Sequence, residues 1–150
     1  LIIRPKNYYD LSVPSGNSVA SNALLKLHHL THQEKFLKIS EKILESNGTS
    51  AAENPFAFGY LLNVMNLYIK SPTEITIINT ENSEIVNFLY KKFIPEGIII
   101  GIKNEENLKS LSSYPFFEGK EFSSKTNVTV CKNFTCSLPM SKLNEIEKNL

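Results

Sequence analysis

The chain has 150 residues, of which 41% are hydrophobic and 21% charged, and its formal net charge is +1. This composition is ordinary for a globular protein, and the length suffices for one domain or two small units. The near-zero charge gives no electrostatic footprint for nucleic acid or an anionic membrane, so we expect neither as a partner. No apolar run reaches the roughly 20 residues that a membrane span requires.

The start of the sequence, from Leu1 to Pro5, lacks both an initiator Met and the charged-then-apolar pattern of a signal peptide. We therefore expect a C-terminal fragment of a longer protein, although a processed terminus would look the same. Sequons for N-glycosylation occur at Asn47, Asn127 and Asn133, and they are acceptors only in a secretory compartment. Without a targeting signal we read them as chance occurrences and predict a cytoplasmic location.

Helical spacing of apolar residues dominates the first half of the chain. Small polar residues from Ser15 to Ser18 precede apolar residues that recur every three or four positions, which predicts a helix over 16–31. The same spacing predicts a second helix over 33–46. Asn47-Gly48 is the expected stop signal for that helix.

A third helix is predicted over about 53–70, where Pro55 is tolerated in the first turn. The connections between these helices are short, which favours antiparallel hairpins. We therefore predict that residues 1–71 form a helical segment.

The pattern changes at Ser71-Pro72. Two short β-branched runs, over 74–78 and 97–102, flank a helical pattern over 83–93. A strand, a helix and a strand within about 30 residues predict a βαβ unit with parallel strands.

Further short elements complete the second region, which we predict to span 72–150. They are a short helix over 105–112, an apolar plug at Pro115 to Phe117, a third strand over 127–131, and a last helix opened by Pro139 and Ser141. The fold class predicted for the whole chain is therefore mixed α/β, with helical hairpins followed by a small three-stranded βαβ-type unit.

The segment from Pro14 to Ser18 and the nearby Tyr8-Tyr9-Asp10 are the most distinctive polar features of the first half. Free amides at a helix start suit anions and polar ligand groups, and an acid beside two aromatic rings suits sugars. An ordinary N-cap and a surface loop explain the two segments as well. No second carboxylate at a fixed spacing pairs with Asp10 as an acid/base couple.

Three histidines, His28, His29 and His32, cluster near the end of the first predicted helix. His28 and His32 are four residues apart and could share a metal ion. No nearby Cys completes a closed site, nor does any acid before Glu34, and histidines at a helix C-terminus commonly complement its dipole. We predict neither a metal nor a cofactor.

Cys131 and Cys136 form a C-x4-C pair, which matches neither the C-x-x-C redox spacing nor a zinc knuckle. If a strand ends at Cys131 and a turn follows, the two thiols could approach bonding distance. Two buried free thiols are the default expectation because the cytosol keeps thiols reduced. Reversible redox chemistry is the sharper hypothesis. The sequence contains no glycine-rich phosphate loop and no Gly-x-Ser-x-Gly elbow.

Two separated segments carry a family resemblance. Pro14-Ser15-Gly16-Asn17-Ser18-Val19, leading into Leu24-Leu25-Lys26-Leu27, resembles a segment of the YyaL / spermatogenesis-associated thioredoxin-like family. The run from Val130 to Pro139 is similar to the V-C-x-N-x-x-C-x-x-P tail of that family, and Tyr114 to Phe117 is similar to its L-P-F-L stretch. The order and the spacing fit across nearly the whole chain.

The resemblance implies a parent protein with an N-terminal thioredoxin-like domain, an (α/α)6 toroid akin to N-acylglucosamine 2-epimerases and six-hairpin glycosidases, and a closing α/β region. This chain would cover only the last toroid helices and that α/β region. By analogy, Asp10, Ser15, Asn17 and Ser18 would face the toroid cavity. The resemblance supplies no substrate, and fold analogy sets only a prior for function.

Three hypotheses follow. The first is a fragment without catalysis of its own, whose parent is carbohydrate-active or redox-linked. The second is a redox-linked interaction module that uses Cys131 and Cys136, and the third is a purely structural cap of the toroid. The expected partner is the rest of the parent polypeptide, and apolar surface left uncovered favours a homo-oligomer.

Overall fold

The structure is a computed structural model that describes residues 7–132 and 135–150. The chain divides into two compact units, Leu1–Ile69 and Lys70–Leu150, called here the helical unit and the sheet unit. Within the described residues the fold is mixed α/β, with six α-helices and one four-stranded mixed sheet. The toroid and hairpin arrangement stays a prediction.

The helical unit begins with α1, Gly16–Thr31, over the range that the apolar spacing predicts. Ser15 is its N-cap, since the Ser15 Oγ accepts a hydrogen bond from the amide of Ser18 at 3.2 Å. The helix ends where His32 adopts a left-handed conformation with φ of 52°. Its amide donates to the carbonyl of His28 at 2.7 Å, which closes the last turn.

The second helix, α2, spans Glu34–Glu53, so the stop predicted at Asn47-Gly48 is wrong. Asn47 is buried, and its Nδ2 donates to the carbonyl of Ile43 at 2.8 Å along the helix. The additional residues place Ala51 in the core with 1% of its surface exposed. Burial therefore outweighs the local turn preference of Asn-Gly.

The third predicted helix is divided in two. Pro55–Phe58 forms a 3-10 helix, and α3 then spans Gly59–Lys70. The division follows from Asn54, whose extended φ of −136° ends α2 while its amide donates to the carbonyl of Ser50. One hydrophobic cluster joins α1, α2, the 3-10 helix and α3: Leu25, Leu44, Ala51, Phe58, Leu61, Val64 and Leu67.

The sheet unit is built on four strands in the order β2-β1-β3-β4. β1 (Thr73–Ile78) and β2 (Gly97–Ile102) pair in parallel, with α4 (Ser83–Lys91) between them in the chain. This confirms the predicted parallel strand–helix–strand unit.

The prediction of three strands is wrong. β3 (Asn127–Lys132) runs antiparallel to β1, and the two-residue strand β4 (Thr135–Cys136) pairs antiparallel with β3. β4 is exposed and too short to produce an alternating pattern, so no periodic signal marks it in the sequence.

Residues that are paired in register point to the same side of the sheet, and successive residues of a strand alternate between its two sides. The sheet therefore has one apolar face and one mixed face. On the apolar side, strand residues pack with α4 and with the last helix, α6 (Leu143–Asn149): Ile75, Ile77, Ile85, Leu89, Val128, Val130, Met140 and Ile146. The register places three cross-strand pairs on the mixed side: Glu74 with Cys131, Thr76 with Thr129, and Ile78 with Asn127.

The remaining elements of the sheet unit lie between β2 and β3 and after β4. α5 (Glu105–Leu111) precedes a 3-10 helix, Pro115–Phe117, that buries both phenylalanines as predicted for an apolar plug. The last helix starts at Leu143 and not at Pro139, because Met140 bridges to Val128 and extends the sheet. No helix within 7–132 and 135–150 combines the length and apolar character needed to cross a bilayer.

Candidate functional site

Asp10 is buried and uses both carboxylate oxygens for main-chain hydrogen bonds. The Asp10 Oδ1 accepts the amide of Ser15 at 2.7 Å, and the Oδ2 accepts the amide of Leu61 at 2.8 Å. These amides lie at the starts of α1 and α3, where helix N–H groups lack partners inside the helix. The main-chain amide of Asp10 also donates to the carbonyl of Ala57 at 2.7 Å. We call this arrangement the Asp10 anchor.

The charge of Asp10 is stabilised by this environment. Burial disfavours the ionised form, but hydrogen bonds from the Ser15 and Leu61 amides and from the Ser18 and Ser15 hydroxyls outweigh it. The pKa of the Asp10 carboxyl therefore lies below its usual value. A carboxylate held ionised by main-chain donors is suited to structural anchoring and poorly suited to donating a proton.

The other predicted cavity residues differ in how their side chains are placed. Ser15 and Ser18 are buried, and their hydroxyl oxygens lie 2.8 Å apart. Asn17 differs from both, since it is only half-buried. The structure thus joins Asp10, Ser15 and Ser18 in one internal network, and Asn17 has the most solvent access of the four. Their role in lining a larger cavity stays a prediction.

A second buried polar contact joins α1 to α2. The hydroxyls of Ser21 and Ser40 lie 2.7 Å apart and both residues are fully buried. The Ser40 Oγ also donates to the Ser21 carbonyl at 3.2 Å. Small hydroxyl residues allow the two helices to approach closely while remaining hydrogen-bonded.

The three histidines lie around the end of α1. The His28 and His29 rings make an edge-to-face contact at 5.5 Å between centroids. The His28 Nδ1 lies 3.4 Å from the Gln33 carbonyl. Among the described residues, no group of three or more metal-ligating side chains comes together.

Cys131 and Cys136 form a disulfide, so the default expectation of two buried free thiols is wrong. The two residues are direct partners in the β3–β4 pairing, with Cα atoms 4.0 Å apart, which brings the sulfur atoms within bonding reach. Cys131 is 4% exposed, whereas Cys136 lies on the exposed strand β4. The bonding distance that the sequence allowed between the two thiols is therefore reached.

A cavity of about 420 Å³ adjoins the disulfide on the mixed face of the sheet. Its lining combines strand residues, the loop 118–123 and the segment that follows β4: Ile78, Glu118, Gly119, Lys120, Glu121, Phe122, Ser123, Asn127, Thr129, Cys136, Ser137 and Pro139. Charged side chains of both signs and several hydroxyls therefore face the same space. Sequence reasoning missed this cavity because its walls come from four separated stretches of the chain.

Lys120 is the cation of this cavity. Its Nζ donates to the Phe116 carbonyl at 2.7 Å and lies 5.0 Å from the Phe116 ring centroid. Burial lowers the pKa of the Lys120 amine, and the negative charge of Glu74 partly opposes that shift. The side chain is therefore held at a fixed position beside the cavity.

Asn79 and Thr126 hold the cavity loop against the end of β1, and sequence reasoning missed both. Asn79 has a positive φ of 60°, and its Nδ2 donates to the carbonyls of Ser123 at 3.2 Å and Ser124 at 2.9 Å. The Thr126 hydroxyl donates to the Asn79 carbonyl. An Asn directly after a buried strand was the available signal, because Asn tolerates the left-handed conformation.

The fold thus combines a helical unit with a buried carboxylate anchor and a small mixed-sheet unit with a cross-strand disulfide. The sequence of this chain is distantly similar to that of spermatogenesis-associated protein 20. It is 22% identical to the human protein and 21% identical to the rat protein, in each case over the whole of this chain and 20% of the relative. It is also 23% identical to uncharacterized protein B0495.5 of Caenorhabditis elegans, over 93% of this chain and 19% of the relative.

The chain therefore spans about a fifth of the length of the curated relatives it matches. No family model matches the sequence. No solved structure matches it significantly.

Proposed function

We propose that the chain is a non-catalytic part of a larger protein related to spermatogenesis-associated protein 20. In this proposal the helical unit supplies the last helices of an α/α toroid, and the sheet unit closes the chain. The distant relationship over 93–100% of the chain, but only 19–20% of each relative, supports a larger parent. The cytoplasmic location predicted from the sequence belongs to the same proposal.

One observation carries this proposal. The acid that would be the best candidate for sugar chemistry, Asp10, uses its two oxygens to anchor the starts of α1 and α3. Its hydrogen bonds account for the sequence feature that otherwise suggests a polar ligand site. Asn17, which is half-buried beside the anchor, is the side chain that we propose to face a cavity in the intact parent.

Titrating sugars against the intact parent protein tests the cavity role. Asn17→Ala is expected to weaken binding without changing the melting temperature, because its side chain lies outside the internal network. Asn22→Ala is a matched control on the same helix, since Asn22 donates to the Tyr60 hydroxyl at 2.6 Å inside the helical unit. Equal sugar binding by wild type and Asn17→Ala would contradict the proposal that Asn17 faces the cavity.

The rest of the parent polypeptide is the partner we propose for the helical unit. Several large apolar side chains are strongly exposed there, including Phe56 at 97%, Leu11 at 70% and Val13 at 71%. Uncovered apolar surface favours association, so the isolated chain is expected to form oligomers. Sedimentation velocity that shows a clean monomer at high concentration would count against this proposal.

A second candidate function is a redox-linked interaction module, and the Cys131–Cys136 disulfide favours it. Intact-mass measurement after reduction and mild oxidation tests this candidate. Loss of two hydrogens on oxidation is expected in the wild-type chain and not in Cys136→Ser. A wild-type mass that does not change under mild oxidant would reject it.

A further inference from the structure

The two cysteines of the disulfide differ in exposure. Cys131 lies on β3, opposite Glu74 of β1, and is 4% exposed. Cys136 lies on the two-residue strand β4, where both residues are exposed. Thiol–disulfide exchange requires a thiolate to approach one sulfur along the S–S axis, so access decides which sulfur is attacked. We therefore expect an external thiolate to attack Cys136 in preference to Cys131.

The sheet around the disulfide is held by bonds that do not depend on it. The Ser137 amide donates to the Val130 carbonyl at 2.8 Å, and the Val130 amide donates to the Ser137 Oγ at 3.1 Å. Farther along, Met140 and Val128 exchange two main-chain hydrogen bonds of 2.8 and 2.9 Å. The chain that follows β4 therefore stays paired with β3 when the disulfide opens.

The cavity beside Cys136 has the chemistry to hold a small molecule of mixed charge. Lys120 supplies a cation, whereas Glu118 and Glu121 supply anions. Asn127 and Thr129 add hydrogen-bonding groups from the strand side. The volume of about 420 Å³ lies within the range of small-ligand sites.

We propose that Cys136 is a site of thiol–disulfide exchange with small zwitterionic thiols, such as short cysteine-containing peptides, which the adjacent cavity seats. The proposal rests on the redox-linked candidate function and deepens it by naming the attacked sulfur and the class of thiol. The carboxylates of such a thiol would face Lys120, and its ammonium group would face Glu118 and Glu121.

The reaction balances with the thiol as the reductant. Its thiolate attacks the Cys136 Sγ, a new S–S bond forms between the two, and the bond to Cys131 breaks. The electron pair of the broken bond leaves with Cys131, which then takes up a proton. The thiolate of a second thiol molecule then attacks the sulfur of the first thiol in the mixed disulfide, and the Cys136 thiolate leaves and takes up a proton. In total, two thiols become one disulfide and the protein gains two electrons and two protons.

Single-cysteine variants test which of the two cysteines is accessible to exchange. Cys131→Ser leaves only Cys136, and Cys136→Ser leaves only Cys131. Both are incubated with oxidised glutathione, and the mixed disulfide is followed by intact mass. The adduct is expected at least about tenfold faster on Cys131→Ser, because its remaining thiol is accessible. Equal rates, or a faster reaction of Cys136→Ser, would overturn the proposal.

The role of the cavity is tested in the Cys131→Ser background. The rate is expected to saturate with oxidised glutathione and to rise linearly with the neutral 2-hydroxyethyl disulfide. Adding Lys120→Met is expected to raise the half-saturating concentration of oxidised glutathione and to leave the rate with the neutral reagent unchanged. Lys125→Met, an exposed lysine outside the cavity lining, is the matched control. Linear dependence on both reagents would overturn the cavity assignment.

These outcomes are separate from failure of the redox-linked candidate itself. That candidate fails if the wild-type chain never loses two hydrogens on oxidation. The exchange experiment uses chains with one cysteine and does not depend on formation of the internal disulfide.

Discussion

The Asp10 Oδ2 accepts the main-chain amide of Leu61 at 2.8 Å, although the two residues are 51 positions apart in the chain. The Oδ1 of the same carboxylate accepts the amide of Ser15, so one side chain satisfies free donors at the starts of two helices. This contact links a residue before α1 to the last helix of the helical unit. It is the reason that we assign Asp10 an anchoring role.

Asp10→Asn is expected to lower the free energy of unfolding of the chain by about 1.5–3 kcal/mol, the range for hydrogen bonds to a charged group. The Asn side chain has a single acceptor oxygen, and its NH2 group would face one of the two main-chain N–H groups. Chemical denaturation at neutral pH measures the difference. Asn17→Ala is the matched control and is expected to change stability by less than about 0.5 kcal/mol.

Asn79 combines a left-handed backbone with two side-chain hydrogen bonds, and two variants separate these contributions. Asn79→Gly removes the carboxamide together with the Cβ, whereas Asn79→Ala removes the carboxamide and keeps a Cβ at positive φ. We expect Asn79→Ala to be less stable than Asn79→Gly by about 1 kcal/mol. Thermal denaturation of the two variants measures the difference, and an alanine variant as stable as the glycine variant would contradict it.

Thr76 is buried at 1% exposure on the mixed face of the sheet, and its Oγ1 has no hydrogen-bond partner among residues 7–132 and 135–150. Thr76→Val replaces that hydroxyl with a methyl group of similar shape, so it is expected to stabilise the chain by about 1 kcal/mol. Urea denaturation measures the change.

Thr126→Val is the matched comparison for that experiment. The Thr126 hydroxyl donates to the Asn79 carbonyl and accepts the Asn82 amide at 3.1 Å, so its loss is expected to destabilise the chain. Destabilisation by both variants would contradict the assignment of an unsatisfied Thr76 hydroxyl.

The disulfide closes a short loop, with a sequence separation of five residues. In the chain-entropy model a loop of this length contributes only about 2 kcal/mol. The double variant Cys131→Ser/Cys136→Ser is therefore expected to fold, with the midpoint of unfolding lowered relative to the oxidised wild type. Circular dichroism during urea unfolding measures the shift, and a chain that fails to fold would show that the disulfide is essential to the sheet unit.

Elements with local signals were predictable from the sequence. The bounds of α1 follow from the Ser15 cap and the apolar spacing, and the bounds of β2 follow from its run of isoleucines between two glycines. Both signals lie within the element they define. The parallel pairing of β1 with β2 follows from the helix that lies between them in the chain.

The errors arise where distant residues decide the structure. α2 continues past Asn47-Gly48 because Ala51 packs in a core assembled from other helices. β4 consists of two exposed residues that are defined only by their partners on β3. The candidate site shows the same limit: Asp10 stands out in the sequence, but nothing local identifies Leu61 as its partner.

The dependence of stability on pH tests the Asp10 anchor most directly. Because the pKa of Asp10 in the folded chain lies below the unfolded value of 3.8, ionised Asp10 stabilises the fold above that value. That stabilisation is lost as the pH falls through the folded pKa. The experiment compares the free energy of unfolding of wild type and Asp10→Asn between neutral pH and about pH 2. The difference in free energy of unfolding between wild type and Asp10→Asn is expected to be constant above about pH 5 and to narrow below it. A difference that is independent of pH, or no difference at neutral pH, would contradict the Asp10 anchor.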